Sequence, residues 1–105
     1  MPDLYIINLH YKASLEMIDK HMQAHLDFLK VCYTKKIFIV SGRKDPRTGG
    51  IIIAQGLNLE QMTTLMQQDP FVKQGLAELN IIKFSASQTQ PEFAELLNLN
   101  QTSDF

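Results

Sequence analysis

The sequence lacks a second cysteine, a long apolar run and an excess of charge of either sign. Its only cysteine, Cys32, cannot form an internal disulfide and is typical of a reducing compartment. No apolar run approaches the roughly 20 residues of a membrane helix, and Met1 to Leu4 carry no basic segment ahead of an apolar signal region. We therefore expect a cytoplasmic protein with no membrane partner. The net charge of −1 argues against nucleic-acid binding, which requires a basic excess.

What the sequence does contain is the composition of one globular domain. A chain of 105 residues is long enough for one hydrophobic core and little more, so we expect a single domain over 1–105. Hydrophobic residues make up 45% and charged residues 20%, which favours a folded chain over a disordered one. With five glycines and four prolines, the sequence shows no repeat, linker or low-complexity tract.

The pattern of apolar residues predicts four strands and three helices. Alternation from Leu4 to Tyr11 indicates a strand, and apolar steps of three and four residues after the candidate N-cap Ser14 indicate an amphipathic helix. Pro70 disfavours helical geometry at the residue before it, so the second helix should end near Gln68. The predicted strands are 4–11, 36–41, 51–54 and 79–86, and the predicted helices are about 15–33, 59–68 and 91–97. The polar tail 98–105 is expected to fray.

The order of these elements predicts a fold. A βαββαβ succession with a short terminal helix is typical of the ferredoxin-like arrangement of the α+β class, an antiparallel sheet with two helices on one face. The predicted strands carry apolar residues on both faces, so the face without helices would expose an apolar patch that soluble monomers rarely tolerate. We therefore expect a homodimer in which two sheets pack face to face about a two-fold axis.

His25 lies where an apolar residue is expected. It shares the apolar face of the first predicted helix with Ile18 and Leu29. A buried imidazole needs a polar partner, and Asp69 could supply a carboxylate that fixes its tautomer and leaves the second nitrogen free for proton transfer. The alternatives are a core histidine bonded to a backbone carbonyl and an Asp69 that caps a helix beginning at Pro70. Spacing alone leaves these interpretations open.

The loop after the second predicted strand combines basic residues with glycines. Arg43 and Arg47 could hold a carboxylate or another anion, and Gly49 would let backbone N–H groups approach it closely. Ser41, at the end of the strand, could point its hydroxyl into the same cleft. The alternatives are a solvated basic loop and a capping or turn role for Ser41.

The sequence gives little support for binding of a metal, a cofactor or RNA. His21 and His25 have the i, i+4 spacing of a metal-binding pair, but no cysteine or carboxylate cluster accompanies them, so we expect no metal. Gly49-Gly50 lacks the spacing of a nucleotide-binding loop, and nothing else in the chain requires a cofactor. The third strand, Gly-Gly-Ile-Ile-Ile-Ala, has none of the aromatic residues with which RNA-recognition modules stack bases.

Several short motifs occur in a fixed order along the chain. They are Ala24-His25-Leu26, Val40-Ser41-Gly42, Gly49-Gly50, and Asp69-Pro70-Phe71 followed by Gly75. With these motifs the chain resembles the YCII-related (YciI-like) family of small proteins from Leu4 to Phe84. The resemblance implies a dimeric α/β-barrel fold and an active centre formed by His25 and Asp69. One relative acts in the breakdown of chlorinated aromatic compounds, so the resemblance also implies dehalogenation, elimination or isomerisation.

The chain departs from the family pattern at two places. Met22-Gln23 stands where many relatives have Arg-Pro, and Arg43 replaces a common proline. The charge or the orientation of the substrate is therefore expected to differ. Two functions remain open. One is a homodimeric enzyme with acid–base chemistry at His25 on a small anionic carbonyl, lactone or aromatic-derived metabolite. The other is a non-catalytic module that binds small molecules or regulates a partner.

Overall fold

Four strands and five helices form residues 2–97, which are the residues that this computed structural model describes. The predicted tail 98–105 lies outside them. No helix within them is long and apolar enough to cross a membrane. In chain order the elements are β1 (Asp3–Tyr11), α1 (Leu15–Lys20), α2 (Met22–Thr34), β2 (Phe38–Arg43), β3 (Gly49–Gln55), α3 (Leu59–Met66), α4 (Pro70–Lys73), β4 (Ala77–Ser85) and α5 (Pro91–Leu97).

The four strands form one antiparallel sheet in the order β2-β3-β1-β4. The central strand β1 pairs with β3 on one side and with β4 on the other. This topology confirms the predicted ferredoxin-like α+β fold. β2 continues past its predicted end at Ser41 because Arg43 pairs with Gly50 of β3. The extended pairing brings the side chains at the end of β2 beside the glycines that begin β3.

His21 divides the first predicted helix into α1 and α2. Its backbone torsions are φ −105° and ψ 4°, and its N–H donates to the Ile18 carbonyl, three residues back. The ring nitrogen Nδ1 makes a further hydrogen bond to the Met17 carbonyl at 3.1 Å. A hydrogen bond to the residue three positions back makes a tighter turn than the α-helical bond to the residue four positions back, so the regular helix is interrupted here. The prediction of one helix over 15–33 is wrong at this position, although its apolar face, with Ile18 and Cys32 fully buried, is confirmed.

Helices α1 to α4 all bury apolar side chains against the same face of the sheet. Alternate residues of β1, among them Tyr5, Ile7 and Leu9, point into this core, as the period of two in a strand requires. The helices contribute Ile18, Cys32, Met62, Met66 and Phe71. The predicted placement of the helices on one face is therefore confirmed.

The opposite face of the sheet is partly covered by α5, where Leu97 packs against Leu4. The expectation that this face carries no helix is wrong at that end of the sheet. Despite α5, three large apolar residues of this face are exposed: Val40, Ile82 and Phe84 have 52%, 52% and 42% of their surface accessible. We call this apolar surface the outer face.

We predict that Gly49→Ala destabilises the protein by about 3 kcal/mol. A Cβ at this position would lie 1.8 Å from the backbone oxygen of Leu9, and neither backbone can move without breaking the pairing of β1 with β3. Urea unfolding followed by circular dichroism measures the change. The matched control is Gly42→Ala, since a Cβ at Gly42 meets nothing within 4 Å. Equal losses of stability in the two variants would contradict the argument.

We also predict that the native thiol of Cys32 is nearly inert. Its side chain is 1% exposed. Burial raises the pKa of the thiol to about 11, with Asp69 adding to the rise and Lys35 opposing it. Because the thiolate is the reactive form, alkylation by iodoacetamide at pH 8 should be about 100-fold slower in the native protein than in urea. A native rate equal to the rate in urea would show that the thiol is accessible.

Candidate active site

The structure brings His25 and Asp69 together, although 44 residues separate them along the chain. His25 comes from α2, and Asp69 comes from the junction of α3 and α4. The ring nitrogen Nδ1 of His25 lies 2.7 Å from Oδ1 of Asp69. The side chain of Asp69 has no exposed surface, whereas that of His25 is 12% exposed. A buried carboxylate thus meets an imidazole that retains some access to solvent.

Asp69 also caps the short helix α4. Its Oδ1 accepts a hydrogen bond from the backbone N–H of Phe71 at 3.2 Å, and Pro70 occupies the first helical position. The capping role and the partnership with His25, which were alternatives in the sequence, therefore hold at once. Oδ2 of the same carboxylate is buried and has no hydrogen-bond partner among residues 2–97. The two bonds at Oδ1 are what compensate for the loss of water around this group.

The ring of His25 is held by Phe71 as well as by Asp69. It stacks on the ring of Phe71, with centroids 4.1 Å apart and planes inclined by 14°, and Tyr11 meets the same phenylalanine edge-on at 5.8 Å. Because the carboxylate of Asp69 only accepts hydrogen bonds, Nδ1 carries the proton in the neutral ring and Nε2 carries a lone pair. Nε2 has no hydrogen-bond partner within the described residues. The arrangement provides an oriented base.

A cleft of about 250 Å³ lies between α2 and the adjoining ends of β1, β2 and β3. Its apolar walls are Leu9, Met22, Leu26, Leu29, Ile51 and Ile52. Its polar side chains are Tyr11, His25, Ser41 and Arg43, and Gly42, Gly49 and Gly50 complete the lining. An apolar space with a few converging polar groups is the usual form of a small-molecule site.

Ser41 and Arg43 reach the cleft from the end of β2. They lie two residues apart on one strand, so both point to the face that carries α2. The Arg43 guanidinium forms no hydrogen bond and no ion pair within 4 Å among residues 2–97, although its charge helps to lower the pKa of the Asp19 carboxyl. The Ser41 hydroxyl lies 2.6 Å from the hydroxyl of Tyr33 on α2. Tyr33 was not predicted from the sequence. It follows His25 by eight residues and therefore lies on the same face of the helix.

Arg47 does not line the cleft, unlike Arg43, although it interacts with Tyr11 at the edge of the lining. Its guanidinium donates to the carboxylate of Asp19 on α1, and it is not among the residues that line the cleft. This hydrogen bond lowers the pKa of the Asp19 carboxyl and raises the pKa of Arg47. Arg47, which the sequence suggested as an anion-binding residue, thus has the carboxylate of Asp19 as its partner in this structure. This contact ties the β2–β3 loop to α1.

Among the residues that the structure describes, no third ligand lies beside His21 and His25. Within residues 2–97, no group of three or more His, Cys, Asp or Glu side chains is placed to hold a metal ion. Nδ1 of His21 bonds the Met17 carbonyl, and Nδ1 of His25 bonds Asp69. The two histidines therefore take part in two separate interactions.

Two solved structures are similar to this chain. The 5-chloro-2-hydroxyhydroquinone dehydrochlorinase TftG of Burkholderia phenoliruptrix, in complex with 2,5-dihydroxybenzoquinone, is similar with a TM-score of 0.65 and 23% identity, over 82% of this chain and 95% of that chain. SnoaB, a cofactor-independent oxygenase of Streptomyces nogalater, matches with a TM-score of 0.48 and 14% identity, over 87% of this chain and 99% of that chain. The likeness to TftG shows a common fold.

The family of the chain follows from its sequence profile. No curated protein sequence matches significantly. The profile of the YCII-related domain matches residues 4–85, which include β2 to β4, β1 except for its first residue, α1 to α4, and both His25 and Asp69. The motifs that suggested this family lie within the matched segment. The chain belongs to the YCII-related domain family.

Proposed function

We propose that this protein is a small enzyme that moves a proton on a small anionic carbonyl, lactone or aromatic-derived compound. The observation that carries the proposal is the 2.7 Å contact between Nδ1 of His25 and the buried carboxylate of Asp69, in a ring that also lines a cleft. A carboxylate in this position holds the imidazole in one tautomer and stabilises the imidazolium that forms when the ring takes a proton. Asp69 is therefore a positioning residue, and His25 is the base.

The proposed reaction begins when Nε2 of His25 takes a proton from a carbon beside a carbonyl group. In an isomerisation, the imidazolium returns that proton to a different carbon. In an elimination, the electron pair of the broken C–H bond forms a double bond, and the leaving group departs with its own pair. For a chlorinated substrate the leaving group is chloride, so the net loss is one proton and one chloride ion. These steps need no oxidant or reductant.

Ser41 and Arg43 are the groups we propose to hold the anionic part of the substrate. Arg43 supplies a positive charge, and a bidentate contact with a carboxylate or with adjacent oxygens would orient the substrate. Developing negative charge on a carbonyl oxygen is stabilised by such donors in an apolar site. A cleft of about 250 Å³ suits one substituted ring, since a cavity of about 150 Å³ already holds benzene.

The ligand of TftG suggests the first compounds to test. That protein is a dehydrochlorinase bound to a hydroxylated quinone, which is an anionic or enolic single ring. Compounds of this class fit the size and polarity of the cleft around His25 and Arg43. We also propose a cytoplasmic location, because a lone cysteine is typical of a reducing compartment.

We further infer that the protein acts as a two-fold homodimer joined through the outer face. Val40, Ile82 and Phe84 would be buried there, and exposed apolar patches of this kind are typical of subunit interfaces. The cleft lies on the helix side of the sheet at the end of β2, so dimerisation would leave His25 accessible.

We expect His25→Ala to lower kcat by about 10²- to 10⁴-fold, the usual contribution of a general base. The measurement is chloride release from 5-chloro-2-hydroxyhydroquinone and from chlorinated aromatics, and the change in absorbance for small lactones and phenolic acids. His25→Gln is a second variant, because its amide can still donate to Asp69 but cannot take a proton. His21→Ala is the matched control, with unchanged kcat expected. Full activity of His25→Gln, or no turnover of any compound by the unmodified protein, would contradict the proposed function and favour a binding module.

The dimer has its own test in sedimentation. The unmodified protein should have twice the chain mass of 12.0 kDa, and Ile82→Glu should have the mass of one chain with unchanged circular dichroism. Val31→Glu is the matched control, because Val31 of α2 is 53% exposed but lies on the helix side of the molecule. A monomer at micromolar concentration before any substitution would rule out the dimer.

A further inference from the structure

Tyr33 links the end of α2 to the end of β2 through a hydroxyl pair. It lies eight residues after His25, and Leu29 lies between them on the same face of the helix. His25 and Leu29 line the cleft, and Tyr33 reaches across to Ser41, with 2.6 Å between the two hydroxyl oxygens. This distance is normal for a strong O–H···O hydrogen bond.

The hydrogen bond between Tyr33 and Ser41 is not needed to satisfy a buried hydroxyl, because Tyr33 is exposed to solvent. The side chain is 36% exposed, so water could satisfy its hydroxyl. Its ring is nevertheless held edge-on to Phe38, with centroids 6.1 Å apart and planes at 87°. The ring contact directs the hydroxyl toward the strand that carries Ser41. The bond therefore needs an explanation other than the satisfaction of a buried polar group.

The acidity of the two hydroxyls indicates which of them donates. A phenol is the stronger acid and the better donor, and an aliphatic alcohol oxygen is the better acceptor. Tyr33 then donates to Oγ of Ser41, and the proton of Ser41 is left free to point elsewhere. A hydroxyl that accepts a hydrogen bond also becomes a stronger donor, because the two bonds polarise each other. Ser41 lines the cleft, so its proton is available to a ligand there.

Arg43 places a positive charge on the same side of the strand as Ser41. A directed hydroxyl and a guanidinium side by side form a pair of donors for one negatively charged oxygen. Enolates, phenolates and carboxylates carry such an oxygen. A neutral ether or ester oxygen would benefit far less, because hydrogen bonds to charged groups are the stronger ones.

We propose that Tyr33 is a positioning residue that makes the Ser41 hydroxyl a directed donor to an anionic oxygen, with enolates and phenolates as the ligand class. The inference rests on the proposed function only in that a ligand enters this cleft. It assigns Tyr33 a role in holding the oxygen, separate from proton transfer at His25.

The test uses 4-nitrophenol, whose phenolate has a visible absorption band, and 4-nitroanisole, which cannot ionise. Tyr33→Phe should weaken binding of the phenolate about fivefold and raise the apparent pKa of the bound phenol. Ser41→Ala should weaken it about tenfold, and Tyr33→Phe should add nothing in the Ser41→Ala background. Affinity for 4-nitroanisole should stay the same in both variants. Tyr5→Phe is the matched control, because the Tyr5 hydroxyl is buried in the core without a partner among the described residues.

Three results would overturn the proposal. Unchanged or tighter phenolate binding by Tyr33→Phe would mean that Ser41 donates to Tyr33 and not the reverse. A full additional loss in the Ser41→Ala background would mean that Tyr33 acts independently of Ser41. Failure of the unmodified protein to bind the phenolate would remove the anion site itself. The proposed function is tested separately, by measuring kcat of His25→Gln on substrates. That measurement does not use 4-nitrophenol, so the two proposals can fail independently.

Discussion

The carboxylate of Asp69 has no contact with solvent, and a buried charge is tolerated only where hydrogen bonds compensate for the lost water. The backbone N–H of Phe71 and Nδ1 of His25 provide that compensation. Removing one partner of such a group typically costs about 3–5 kcal/mol, because the other is left unpaired. The bond that holds α2 to the start of α4 is therefore also the bond that orients the imidazole. The hydrogen bond between His25 and Asp69 thus stabilises the packing of the helices and positions the proposed base.

The other wall of the cleft depends on how β2 meets β3. Gly49 allows the backbone of β3 to approach Leu9 closely, and Arg47 ties the connecting loop to Asp19 of α1. Arg43 is left as the cation that lines the cleft. The apolar walls weaken competition from water, so a charge and a hydroxyl at one end and a base at the other can act on the same small molecule. The proposed substrate is therefore a small compound with an anionic group at one end and an acidic proton at the other.

Much of the fold could be predicted because its causes are local. The alternation along β1 and the cap at Ser14 depend on neighbours within a few residues, and both occur where predicted. The break at His21 could not be predicted in this way, because the apolar spacing continues through it and only the backbone torsions change. The extension of β2 was also missed, since Arg43 belongs to the strand only through its pairing with Gly50.

The sequence by itself determined the order of the strands and of the helical segments that connect them, and the face of the first helical segment that carries His25. It also showed that a carboxylate and basic residues could join His25. Only the tertiary structure decided that Asp69 is the partner of His25, that Arg43 and not Arg47 lines the cleft, and that Tyr33 meets Ser41. The reason is physical. Local propensities act over a few residues, whereas the position of one side chain relative to another 44 residues away is set by how helices pack on a sheet.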